Sequence, residues 1–166
     1  GMAVAPVAQA FTHPGFNLSQ ADLDEVKSKL AIQPWKTGYD ALVADSKSKT
    51  SYTMRGPFAS VSRTPNVNLN EFKDDMQAVY NLSRMWYFTN NTAYAQKARD
   101  ILITWATNHT SFDGGEMYLS MGDYAYRTFG GAEILRGTWP GWTQADTDTC
   151  KAYFENVWWQ GGGINA

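Results

Sequence analysis

The stretch TAYAQKARDILITWATN, residues 92–108, sets Tyr94, Ala98, Ile101, Leu102 and Trp105 on one stripe at the spacing of an α-helix. Good helix formers such as Gln96, Lys97 and Arg99 fill the remaining positions. The same period recurs on both sides of this stretch. Upstream, a helix beginning near Asn68–Asn70 repeats Phe72, Met76, Val79, Tyr80, Ser83 and Trp86 or Tyr87 at helical spacing. Further upstream, Ser19 with Asp22 three residues on reads as a capping box, and Leu18 and Leu23 are placed to staple across it. Pro34 suits the first turn of a second helix, WKTGYDALVADSK. Downstream, DGGEM leads into a fifth helix reaching about Arg136, and GTWPGW is a turn. Thr143 and Asp146 form a second capping box, opening TQADTDTCKAYFENVWW, which QGGG closes. No β-alternating run of useful length occurs. The expected class is all-α, built of helix hairpins.

Composition narrows the function classes. The chain has 166 residues, enough for one domain with a real core. With 43% hydrophobic and 18% charged residues it is globular rather than disordered. Seven Trp and nine Tyr point to an aromatic core, a stacking surface for sugars or bases, or both. A net charge of −2 argues against a general nucleic-acid binder. No run is long and apolar enough to span a membrane. Cys150 has no partner for an internal disulfide, and with His13 and His109 as the two histidines no metal spacing arises, so no cofactor is expected. Residues 1–12 read as a tag remnant and tail, and residues 13–166 as a single all-α domain. Sequons at Asn17, Asn81, Asn90 and Asn108 give a weak indication of secretion; Asn81 lies inside a helix, which leaves Asn17, Asn90 and Asn108 as glycosylation candidates.

Two regions go beyond class. The fifth helix is apolar on two faces: Met117, Met121, Tyr124, Thr128, Ala132 and Leu135 on one, Tyr118, Gly122, Ala125, Tyr126 and Phe129 on the other. Such a helix belongs either to the inner ring of a double-layered barrel or to the centre of an ordinary bundle. From Ser46 to Asn70 the chain carries Lys47, Lys49, Arg55 and Arg63 and no acid, interleaved with Tyr52, Pro57, Phe58 and Pro65. A loop of this length is either functional or a mobile, solvated segment. Cations and rings together suit an anionic polymer of sugars.

The segments HPGFNLSQADLDEVKSKL and QPWKTGYDALVADS, then DDMQAVYNLSRMWYFTNNTAYAQKARDILITWA, then AEILR with WPGW, together resemble the N-terminal part of the alginate lyase-like family of polysaccharide lyases. The resemblance runs from about His13 to Trp159. It implies an incomplete (α/α) toroid. Such toroids need roughly twice this many helices, so the chain is expected to be the N-terminal half of a lyase domain whose C-terminal half lies outside it, or a truncated relative. The implied activity is β-elimination on a uronate-rich glycan such as alginate or glucuronan, in a secreted protein whose partner is an anionic polysaccharide. The competing classes are a non-catalytic glycan-binding or structural module and an all-α protein-interaction domain.

β-Elimination removes the C5 proton beside a carboxylate and breaks the C4–O bond. It needs a neutraliser on the carboxylate, a base, and an acid for the leaving oxygen. In related lyases an Asn-His pair supplies neutraliser and base, in a later context of the chain. Here Asn108-His109 follows an amphipathic helix, where a helix end is the weightier reading. Tyr118 and Tyr126 are the stronger catalytic candidates, with His109 third; each also reads as a core ring or cap. Arg55, Arg63, Asn66 and Arg127 are the candidates for substrate binding, with a capped turn as the alternative for Arg63 and Asn66. Trp35, Trp86 and Trp105 read as core, and Asp74 and Asp75 as acids favoured by a helix dipole.

Overall fold

The computed structural model describes residues 11–159. Six α-helices form in the described residues: α1 (Gln20–Ser28), α2 (Trp35–Ala44), α3 (Leu69–Thr89), α4 (Thr92–Asn108), α5 (Met117–Thr138) and α6 (Gln144–Tyr153). A π-helical turn, Phe154–Trp159, extends α6. Both capping boxes are present: the Ser19 hydroxyl accepts from the Asp22 backbone N–H, and the Thr143 hydroxyl from that of Asp146. Trp35, one residue after Pro34, begins α2. Asn90 ends α3 in the left-handed conformation, at φ 57°, and Asn91 caps α4 through its side chain. That two-residue link folds α3 and α4 into a hairpin.

Helix α3 lies at the centre, packed on α4 and α5. Its stripe of Phe72, Met76, Val79, Ser83 and Trp86 is buried against Ala98, Ile101, Leu102 and Trp105 of α4 and against Ala132 and Leu135 of α5. Gly131 lets α5 approach α3 closely, since a methyl group there would meet the Val79 side chain at 2.8 Å, and Gly130 leaves room for the Asn17 side chain. Phe72 sits inside an aromatic cluster with Trp105, His109, Phe112, Tyr124 and Trp158.

The described residues are mostly helical, as the sequence implies, but several details differ from it. Short strands do form: β1 (Ser60–Ser62) pairs in parallel with β2 (Ser111–Asp113). At three residues each, they are too short for alternation to reveal. Trp35 is only half-buried, at the wall of a cleft, with the Lys29 ammonium 4.4 Å above its ring. The second apolar face of α5 is not enclosed among the described residues. Tyr118 is 63% exposed and Tyr126 37%, while the opposite face, with Met117, Met121, Thr128 and Leu135, is buried.

The segment from Ser46 to Asn68 is held down rather than free. A 3-10 turn spans Ser46–Ser48, and Asp75 on α3 anchors the chain beyond that turn. The carboxylate of Asp75 is fully buried and accepts from the Tyr52 hydroxyl (2.7 Å), the backbone N–H groups of Arg55 and Gly56, and Trp105 Nε1 (2.8 Å). Asp75 lies in the second turn of α3, so its task is to hydrogen-bond this segment rather than to complement the helix dipole. Residues 13–17 strap the other end: the His13 ring meets Glu133 at 2.6 Å, and the Asn17 side chain reaches the Tyr80 hydroxyl at 3.4 Å.

Candidate functional site

The outward stripe of α3 repeats polar and aromatic residues at helical spacing: Lys73, Gln77, Tyr80 and Arg84. Opposite it, α5 presents Tyr124, Tyr126 and Arg127. The Arg127 guanidinium lies between two rings, 4.6 Å from the Tyr124 centroid and 4.4 Å from that of Tyr126. Its Nε donates to Gln77 Oε1 at 2.7 Å, and Nη1 donates to the Asp123 carbonyl. Tyr126 meets Tyr80 edge-to-face at 5.7 Å, and Arg84 lies 4.2 Å over the Tyr80 ring. The Gln77 amide joins the two arginines: it accepts from Arg127 and donates to Asn81 Oδ1, which also accepts from Arg84 Nη2 at 2.7 Å. Lys73 adds a third cation, 5.6 Å from the Tyr124 ring centroid.

This face combines fixed guanidinium groups with exposed ring edges, the equipment for an acidic sugar: rings for the apolar sugar face, N–H forks for the carboxylate. Burial pushes the ionisation of Arg84 below that of an ordinary arginine and that of the Tyr124 hydroxyl above its usual value. Beside Tyr80 and Arg84 the surface opens into a cleft of about 320 Å³ between α1, α2 and α3, walled by Trp35, Tyr39 and Phe88. A larger apolar cleft of about 450 Å³ lies between the N-terminal strap, α5 and α6, where Cys150 is buried and its thiol pushed up to about 12. Among the described residues no group of three His, Cys, Asp or Glu is placed to hold a metal ion, and no helix is long and apolar enough to cross a membrane.

The sequence candidates part company here. Tyr126 and Arg127 stand together on the α3–α5 face. Tyr118 is on the same helix, two turns toward its N-terminus, with its ring in solvent. Arg63 reaches α5 near Tyr118, donating from Nη1 to Ser120 Oγ at 3.1 Å, with Glu116 3.8 Å away. Arg55 points instead to the acidic flank of α3, bound to Glu71 at 2.9 Å and Asp74 at 2.6 Å. Lys47 also pairs with Asp74, so α3 neutralises much of the basic segment. Asn66 is exposed and donates to Asn70.

His109 is turned into the core, 2% exposed, against Phe72, Trp105 and Phe112. Its Nε2 lies 2.8 Å from the Ser111 carbonyl, which can only accept, so Nε2 carries the proton. Nδ1 then accepts from the Tyr153 hydroxyl at 2.6 Å. Both nitrogens are occupied, and burial lowers the pKa to about 4. Its neighbour Asn108 donates to the Thr104 carbonyl at 2.8 Å as a helix end. Asn17, Asn90 and Asn108 are exposed, whereas Asn81 is buried.

Gln77, Tyr80 and Arg84 were not among the sequence candidates. Tyr80 reads in the sequence as part of the apolar stripe of α3 but stands half-buried at its edge, beside the row Lys73, Gln77 and Arg84 that carries the signal. The family model described as alginate lyase matches residues 25–158, most of the chain and all of this face. No curated protein and no solved structure matches the chain.

Proposed function

The chain belongs to the alginate lyase family, a family of polysaccharide lyases, and from that membership we propose that it cleaves a uronate-rich glycan of alginate or glucuronan type by β-elimination at the α3–α5 face. The observation that carries this reading is Arg127, clasped between two tyrosine rings and fixed by Gln77, with no carboxylate paired to it among the described residues. Arg127 pairs with the C5 carboxylate of the substrate and stabilises the charge that develops as the C5 proton leaves. Tyr126, entering the step as the phenolate, takes that proton on its oxygen and becomes the phenol. The C5–H electron pair becomes the C4=C5 double bond, the C4–O bond breaks, and the proton passes to the leaving oxygen. Tyr118 and Arg63 extend the surface along the glycan toward the N-terminus of α5.

In this reading the helix hairpins belong to an (α/α) toroid, and the exposed ring of Tyr118 faces its interior, which further helices complete. Exposed sequons at Asn17, Asn90 and Asn108 suit a secreted glycoprotein acting on an extracellular polymer. A second reading, a glycan-binding module without turnover, is favoured by one observation: His109, which would otherwise be a ready base, is locked in the core.

Absorbance of the unsaturated C4–C5 uronate product, followed on alginate, glucuronan and pectate, separates the two. The lyase gives a rising signal on one polymer, and Tyr126→Phe and Arg127→Gln each slow it by roughly 10²-fold. Binding to a polymer with no rise in absorbance establishes the module instead.

A further inference from the structure

Arg84 is placed differently from the arginines that serve the fold. Arg55 and Arg99 each engage acids, Arg99 meeting buried Asp146 at 2.7 Å. Among the described residues no carboxylate pairs with Arg84. Its Nη2 donates to Asn81, and its Nε is sealed from water with no acceptor among the described residues. A buried donor left unsatisfied is unusual and costly. Two nearby charges set its field. Asp45 reaches it only through Asn81, whose amide donates to Asp45 Oδ2 at 3.0 Å, and Arg127 repels it. Asp22, at the rim of the adjoining cleft, is already committed to the Ser19 cap. The guanidinium stays charged at neutral pH, so this corner of the molecule holds a partly buried cation short of a counter-ion.

Arg84 and Arg127 flank one edge-to-face tyrosine pair, each lying against a ring of that pair and both tied to the same Gln77–Asn81 relay. We propose that Arg84 is a second carboxylate-binding residue, which with Arg127 holds the acid groups of neighbouring uronates in one glycan chain, so that the site selects contiguous uronates. This rests on the reading of the α3–α5 face as a uronate site. A guanidinium donates paired N–H bonds to a carboxylate; with the Arg84 Nε sealed, Nη1 and the second N–H of Nη2 make them, and Tyr80 and Tyr126 supply the apolar surface for the sugar rings between. A glycan in which uronates alternate with uncharged sugars answers one guanidinium and leaves the other unpaired.

The test is calorimetric titration of the full chain with three tetrasaccharides: tetramannuronate, tetraglucuronate and a hyaluronan tetrasaccharide, in which glucuronate alternates with N-acetylglucosamine. The wild type is expected to bind one homo-uronate at least tenfold more tightly than the hyaluronan fragment. Arg84→Gln is expected to abolish that preference by lowering homo-uronate affinity tenfold or more, with a smaller loss of hyaluronan affinity. Equal wild-type affinity for the homo-uronates and the hyaluronan fragment overturns the clamp alone. Binding of none of the three overturns the uronate reading itself. Unliganded Arg84→Met is expected to melt at or above the wild-type Tm, because it removes a buried charge that the fold does not compensate. A lower Tm in that variant, with the sugar preference intact in Arg84→Gln, assigns Arg84 to packing and overturns the proposal.

Discussion

At the scale of single residues, His109 shows how a side chain of catalytic type can be spent on the fold. It closes the gap between α4 and β2 by donating to Ser111 and accepting from Tyr153, and it does so uncharged. Its pKa of about 4 in the folded protein lies below the ordinary value of 6.5, because burial disfavours the imidazolium. The unfolded chain therefore takes up the proton first as pH falls. The contribution of neutral His109 is fully present above pH 6.5 and declines as pH falls from there to about 4, by up to roughly 3 kcal/mol. Gln can keep one donor and one acceptor at this position without titrating. Urea unfolding at pH 7 and pH 4.5 is expected to show a smaller loss of stability in His109→Gln than in the wild type. Equal losses in the two proteins would refute the assignment of a buried neutral imidazole.

At the scale of elements, the segment between the 3-10 turn Ser46–Ser48 and α3 is fixed by one buried carboxylate more than by its ion pairs. Arg55 with Glu71 and Asp74 is a partly exposed cluster, and such pairs contribute about 1 kcal/mol or less. Asp75 satisfies a hydroxyl, two backbone N–H groups and the Trp105 indole with no exposure to water. Removing it strands those donors. Asp75→Ala is expected to cost roughly 3–5 kcal/mol in urea unfolding, against under about 1 kcal/mol for Arg55→Ala. Similar losses for the two variants would show that the ion pairs hold the segment. Gly56 beside it has no room for a side chain, since a Cβ there would run into the Trp105 ring. The acids of α3 thus consume much of the positive charge that made this segment look like the anion site in the sequence.

At the scale of the whole molecule, a chain with net charge −2 gathers Lys73, Arg84 and Arg127 on one face among tyrosines. Binding of a polyanion to that face works against the overall charge and through a local field, so it should be screened by salt. Affinity for the polymer that the lyase assay identifies is expected to fall severalfold as ionic strength rises from about 0.05 M to about 0.5 M. Co-sedimentation or calorimetry at the two salt concentrations measures it. Affinity indifferent to salt would move recognition from the cations to the rings.

The sequence by itself determined the helices. Their starts are written in Ser19–Asp22 and Thr143–Asp146, and their buried stripes in Phe72, Met76 and Val79 or Ile101, Leu102 and Trp105. Capping and helical period are local, acting over three to seven residues, so they can be read without knowing what packs where. It also carried the family resemblance and half of the candidate site, in Tyr126 and Arg127. What the tertiary structure decided is which polar groups meet across elements. That Asp75 holds the backbone of Arg55 and Gly56, that His109 turns inward to Tyr153, and that among the described residues Arg84 has no acid while Arg55 has two are all set by contacts between residues distant in the chain. Burial assigns those partners, because a polar group taken out of water is bound to whatever donor or acceptor the packing brings within reach.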